Sequence, residues 1–491
     1  MISAQIKRAG LFIAIFLGTL LFIDQTVVLA QDTPNIDWSY PSKIPQYHKN
    51  SRAPVLVADN TGLIHGLTVD TGDGLVIVHR TWSKDVGWTI PVDVVLPPRA
   101  GTAEILGAQV DNNDILHLIV FYGIAQDANI YHTSVPIALA SSGAEWAPLR
   151  LVVNDAGPIP HGFFVADGDG KLTIVYEGYE AGLGLYEAYS EDSGETWSNA
   201  EVVYLAPGDL FLPAAVDLHI DDAGDLHAVW SIWNAERGVG EQILYSQKSI
   251  ETDSWSRPRV IAERNEGEYE SDWASVTTIN DRIIILYQDG SPTSKFMRFS
   301  PNDGRYWSEP QKIWPHIGEY ENAVFLKDGD GGLHAILGNR LGDCCHGMWY
   351  SRYEENKWSN LQPLIQGPKT LDFDPSAPTA VISRGNLLLA SWWMDSADRN
   401  GAWYSFGYLP DSAELPTLEL TLPEEENVGD ETSTENLLDP SLEETNNYIP
   451  EDQLTEETGF SPAVPLTVGI ITSLIGLLIG FGIWFTLFKL R

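Results

Sequence analysis

The chain has 491 residues, 44% of them hydrophobic and 20% charged, enough for a large core. Its formal charge of −39 sets nucleic acid aside as a partner, because phosphate recognition needs basic patches. Aromatics are plentiful (17 Trp, 19 Tyr, 16 Phe), and with 43 Gly and 29 Pro among short apolar runs they favour a turn-rich, all-β chain. Helical periodicity is scarce before residue 460.

Residues 1–30 carry Lys7 and Arg8, an apolar run from Ala9 to Ile23, and Val28-Leu29-Ala30 before Gln31. That is the order of a cleaved secretory signal, and the apolar run is short for a membrane span; left uncleaved, it is a second anchor.

Residues 36–410 hold an internal repeat, marked by a Trp that opens a polar strand: Trp38, Trp88, Trp146, Trp197, Trp255, Trp307 and Trp358, at steps of 50, 58, 51, 58, 52 and 51 residues. A four-stranded propeller blade has a period of about 40 to 50 residues, so these steps fit blades with modest loops. The unit at 214–261 shows the order within each: strand A, an Asp/Gly turn, strand B, a variable loop, strand C, a turn, and strand D after Trp255. Six blades are complete. The seventh, near 378–406, lacks its D strand, which Trp38 to Ile44 at the N-terminus can supply, so that the ring closes without an open edge.

Residues 411–461 are rich in acids, Glu424 to Glu426 among them, and contain no Lys or Arg. Such a segment cannot bury enough apolar surface to fold, and its like charges extend it into a stalk. Residues 464–488 follow as a transmembrane helix, with 23 uncharged apolar residues from Leu466 to Phe488. Lys489 and Arg491, in the tail 489–491, predict a single-pass type I protein with its propeller outside the cell membrane and the lipid bilayer as a partner of its C-terminal helix.

The C–D turn of the third blade carries the most specific motif, Ser190-x-Asp192-x-Gly194-x-x-Trp197. A degenerate copy, Ser300-x-Asn302-x-Gly304-x-x-Trp307, replaces Asp by Asn; Ser351 to Trp358 keeps only the ends, and Ser83 to Trp88 is shortened. Asp can satisfy backbone N–H groups of a tight turn, Gly permits positive φ, and Trp packs under the turn, so the motif reads as structural. On these turns the chain resembles the sialidase-like Asp-box (BNR-repeat) propellers over 36–410. The resemblance implies a β-propeller, with six blades in the sialidases proper as the alternative to the seven counted here.

The resemblance also places a sugar site on the face opposite those turns, formed by B–C and D–A loops. It implies an Arg in an aromatic-Arg-Ile-Pro motif, two later arginines that clamp a sugar carboxylate, an acid/base Asp, and a Tyr nucleophile activated by Glu. Ser51-Arg52-Ala53-Pro54 keeps the Arg and Pro but loses the Ile and the aromatic. Asp73 falls in the next B–C loop. Glu321 to Arg340 looks like the family's Glu, strand, turn, strand, Arg order, with Tyr320 beside the Glu, and Arg237 and Arg399 occupy equivalent loops elsewhere. The candidate set is therefore Asp73, Tyr320 and Glu321 for catalysis and Arg52, Arg237, Arg340 and Arg399 for substrate.

Three further features have alternative readings. Cys344 and Cys345, the only cysteines, form a vicinal disulfide, remain thiols or pair between molecules; with no second Cys/His cluster, no metal site is expected there. The loop from Glu266 to Trp273, including Glu270 and Asp272, is either solvated charge or a carboxylate and aromatic site suited to sugars. Asp/Gly turns such as 221–225 and 328–330 are structural Ca²⁺ sites or plain A–B hairpins, and no other cofactor is expected. His65, His117, His227 and His334 recur at one repeat position, which marks scaffold rather than an active site. Two functions remain: a surface module that recognises a glycan or other cell-surface ligand, which the extra blade and eroded motif favour, and an exo-sialidase or related glycoside hydrolase.

Overall fold

A computed structural model describes residues 36–420 apart from 49, 73–74, 100, 125–126, 155, 157–161, 266–269, 291–292, 302, 316–321, 340–344, 369, 371–372, 395–398, 411 and 419. All of these lie in the first of two compact units, Met1–Glu425 and Glu426–Arg491. The expected signal, most of the stalk and the membrane span fall outside the described residues, among which no helix is long and apolar enough to cross a bilayer.

The chain forms seven antiparallel sheets in sequence order. Their A strands are Val55–Ala58, Thr102–Val110, Gly162–Ala166, Phe211–Ile220, Asp272–Ile279, Val324–Lys327 and Pro375–Ser383, which define blades 1 to 7. Each A strand packs against the next, and the last returns to the first, so the A strands ring a central channel. Seven blades overturn the six-bladed alternative. The only helix among the described residues is one short 3-10 turn, Ile137–Leu139.

Sandwiching between neighbouring blades explains the apolar runs. The B strand of blade 4, Leu226–Asn234, is buried at seven successive positions because both of its faces meet another sheet, so it does not alternate between apolar and polar residues. Seven apolar clusters follow one another around the ring, and the cluster containing Val165, Val216 and Trp230, for example, bridges blades 3 and 4.

The N-terminus completes blade 7 as the repeat predicts. Ser42 and Lys43 pair with Tyr404 and Trp403. Hydrogen bonds from Ser39 N to Phe406 O (2.8 Å) and Ile44 N to Ala402 O (2.9 Å) extend the seam.

One face of the disc carries the A–B and C–D turns, and its geometry explains the recurring residues. In the Ser190–Trp197 turn, Ser190 Oγ accepts from Gly194 N at 2.8 Å, while Asp192 accepts from Thr196 N (2.8 Å) and Thr196 Oγ1 (2.6 Å). These bonds, the Thr196 hydroxyl first, hold the Asp192 carboxyl down at about 2. Gly194 has φ of 87° and leaves no room for a Cβ, which would lie 2.0 Å from the His132 ring of blade 2. Ser300 and Gly304 repeat the arrangement over Tyr245 of blade 4, and Asn302 lies outside the described residues.

The four repeated histidines join the same system. Each donates from Nε2 to an Asp six residues earlier, in the pairs Asp59–His65, Asp111–His117, Asp221–His227 and Asp328–His334, at 2.9 to 3.4 Å. Each Nδ1 meets a C-strand partner, respectively His79, His132, Tyr245 and Tyr350. Three of those partners then hold a Trp of the next blade: His132 with Trp197, Tyr245 with Trp307, and Tyr350 with Trp38. The chain Asp, His, His or Tyr, Trp is thus a blade-to-blade tie, as recurrence implies. The Asp221 carboxylate also accepts from Ala223 N and Asp225 N, each at 2.9 Å, which makes these turns self-satisfied hairpins. Among the described residues no group of three His, Cys, Asp or Glu is placed to hold a metal ion.

Candidate functional site

The opposite face carries the B–C and D–A loops. Here the blades can be compared position by position, because the A strands of blades 4, 5 and 7 share one β-bulge, with Ala215, Trp273 and Ala377 each at φ of 50°. Just before the bulge, a cross-strand row runs through strands A, B and C. In blade 4 it is Ala214, Ser231, Ile243; in blade 7 it is Ser376, Trp393, Ala402. In blade 5 it is Asp272, Gln288, Lys295.

A charged row buried at one blade and apolar or small at its equivalents is not a requirement of the repeat. Asp272, Gln288 and Lys295 are each 0 or 1% exposed. Glu270, two residues before Asp272 in the extended chain, accepts a hydrogen bond from Gln288 Nε2 at 2.5 Å. Asp272 accepts from Trp273 N at 2.8 Å and faces Ser231 and Trp233 of blade 4. Gly240 lets the two blades meet at backbone distance: a Cβ there would lie 2.4 Å from Ser271 O and 3.0 Å from Asp272 Cβ.

Burial dominates the chemistry of these acids. It pushes the Glu270 carboxyl up to about 7, reinforced by Asp272 and opposed by Gln288 and Lys295. It pushes Asp272 up to about 6, against Ser231, Trp273 N, Trp233 and Lys295. Asp217, which holds the position after the bulge where blades 5 and 7 have Ser275 and Thr379, is raised to about 7 by burial, opposed only by the backbone N–H groups of Val276 and Leu218. Near this contact the loop face exposes Phe211 and leaves Trp233 and Trp273 partly buried. The arrangement offers aromatic surfaces, a carboxyl that keeps its proton near neutrality and a second acid beside it.

Three of the four arginines named from the sequence lie among the described residues, each against its own partner. Arg52 pairs with Glu104 of blade 2 at 3.1 Å, and Arg237 pairs with Glu241 at 3.1 Å, a carboxylate that also holds Arg264. The Arg399 guanidinium lies over the Phe373 ring of blade 7. These three rise from blades 1, 4 and 7, with Arg237 across the ring from the other two. Asp73, Tyr320, Glu321, Arg340 and Cys344 lie outside the described residues; Cys345 opens the C strand of blade 6, next to His346, whose Nδ1 meets Phe373 O at 2.8 Å. Gln288 and Lys295 were not legible as site residues. Their signal is visible only once the blades are aligned, when the apolar strand Ile283 to Tyr287 ends on an amide where its counterparts end on Ser231 and Trp393.

No protein-family model and no curated protein matches the chain. Solved structures do. An ulvan lyase of a new polysaccharide lyase family, PL25, matches at 10% identity over 74% of this chain and 95% of its own, with a TM-score of 0.51. The polysaccharide lyase Uly1 matches at 8% identity over 79% and 94%, also at 0.51. A mutant of the NanB sialidase from Streptococcus pneumoniae overlays less well, at 11% identity over 79% and 72%, with a TM-score of 0.38. What the two lyase likenesses show is the propeller fold alone.

Proposed function

We propose that the chain is an exported, membrane-tethered propeller that recognises a glycan on its loop face, centred on the seam between blades 4 and 5. The observation that carries this reading is the buried row Asp272, Gln288, Lys295, whose equivalents in blades 4 and 7 are apolar or small. Partly buried tryptophans beside a few fixed polar groups suit a ligand with alternating hydroxyls and apolar ring faces. Export and anchoring rest on the apolar, basic and acidic segments at the chain ends.

One observation favours cleavage as a second reading: Glu270 holds its proton near neutral pH beside Asp272, the state that a general acid needs. A single panel tests both. Neutral, sialylated and uronate-containing glycans are offered to the full chain and to its Trp273→Ala and Glu270→Gln variants, and bound and released sugar are measured. Binding that drops about tenfold or more in Trp273→Ala supports recognition, and release that Glu270→Gln abolishes adds cleavage. Binding indifferent to both substitutions, or absent for every glycan, overturns the loop-face site.

A further inference from the structure

After the last strand, Gly401–Tyr408, the chain does not simply leave the propeller. Ser412 Oγ donates to Asp328 Oδ2 (2.6 Å) and Ala413 N to Asp330 Oδ2 (2.8 Å), both in the A–B turn of blade 6. Leu415 N donates to Arg384 O (2.9 Å), and the Arg384 guanidinium pairs with Glu414 (2.7 Å), in the A–B turn of blade 7. Leu418 N donates to Asn60 O (2.9 Å), in the A–B turn of blade 1, and Leu420 packs on the apolar cluster shared by blades 1 and 2.

The seat for this segment is built into the turns. Gly329 N donates to Gly385 O at 2.8 Å, bringing blades 6 and 7 together at two glycines. A Cβ on Gly329 would lie 2.8 Å from Ala413 O and 3.3 Å from Leu415 Cγ; one on Gly385 would lie 2.8 and 2.9 Å from the same atoms. Gly385 also needs its positive φ of 75°, but Gly329 does not have one, so its missing side chain serves close approach alone. Blades 6, 7 and 1 are also the blades that flank the pairing that closes the ring, between Ser42–Lys43 and Gly401–Tyr408.

We infer that residues 412–418 are a clasp, which ties the closing blade to both neighbours along the turn face and makes the chain depart on that side, leaving the loop face clear for ligand. The clasp stands on its own contacts; its role in presenting the loop face rests on the glycan reading above. Three backbone donors spread over three blades, with two acidic turn residues accepting from the strap, form a cooperative unit rather than a frayed end.

Amide hydrogen exchange on the full chain tests this. In the unsubstituted protein the Leu415 and Leu418 amides should exchange about five- to tenfold or more slowly than in free peptide. Gly329→Ala, whose added methyl meets the strap in blade 6, should release Leu418 on blade 1 as well, and Ala413→Pro, which lies outside the blades and removes one donor, should do the same. Gly208→Ala, with nothing within 4 Å of the new Cβ, should change neither amide. Free-peptide exchange at Leu418 in the unsubstituted chain, or release confined to residues beside the substitution, overturns the clasp. A chain that binds no glycan yet keeps Leu418 protected sinks the loop-face reading and leaves the clasp intact.

Discussion

The two faces of the disc use the same residue types to opposite ends. On the turn face, Asp and His recur blade after blade, each carboxylate is met by its own turn's N–H groups and a histidine, and the carboxyls of Asp59, Asp221 and Asp328 end below their ordinary range although burial alone would raise them. On the loop face, Asp217 and Asp272 stand where the other bulged blades have uncharged residues, and with Glu270 they end above it because burial outweighs their donors. A residue that recurs around a ring faces the same environment each time and answers to the scaffold. A buried charge that appears in one blade has no such explanation.

The comparison can be broken most directly at Lys295. It is the basic group that opposes the rise of both Glu270 and Asp272, and Lys295→Met should destabilise the protein by roughly 3 to 5 kcal/mol at pH 8, where the acids are ionised, and by less at pH 5. Denaturant unfolding at the two pH values measures this; equal losses would show that the row does not act as a charged unit. On the turn face, Gly194→Ala places a Cβ against His132 at positive φ and should cost about 2 kcal/mol or more by the same method, with glycan binding unchanged.

The pH dependences should run in opposite directions. Because Asp217, Glu270 and Asp272 bind protons more tightly folded than unfolded, the stability they contribute is fully present below about pH 4 and lost as pH rises through 6 to 7. For Asp59, Asp221 and Asp328 the sign reverses: their contribution is present above about pH 4 and lost as pH falls. Melting temperature should therefore peak in mild acid, and Asp217→Asn should flatten only the alkaline limb. A peak at pH 8 would contradict the assignment. The smallest effect is expected at Arg237, whose exposed pair with Glu241 should be worth less than about 1 kcal/mol on Arg237→Ala.

The fold was legible because its signals are local and repeated. Tryptophans at even spacing, turn glycines and mainly apolar, buried B strands each report a constraint that the blades share, and the missing seventh D strand pointed to Trp38 to Ile44. The site was legible only in part. Glu270 and Asp272 stood out as acids in an aromatic loop, but whether they were solvated depended on how closely blade 4 approaches, which Gly240 decides from 30 residues away. Arg52 and Arg237 looked available for a ligand because their partners Glu104 and Glu241 become neighbours only through strand register and loop shape. Gln288 and Lys295 acquire meaning from comparison between blades, a relation that no single segment contains.

The N-terminal strand has a consequence for how the molecule is made. Ser39 and Ser405 meet across a sequence separation of 366 residues, so blade 7 cannot finish until the last strand has been synthesised and has found the first. Blades 1 to 6 draw their strands from consecutive sequence and can form as they emerge, whereas the closing step pays a loop-closure entropy that spans the whole domain. Residues 39–44 therefore find their partners only after the last strand is made, and ring closure becomes the final event of folding.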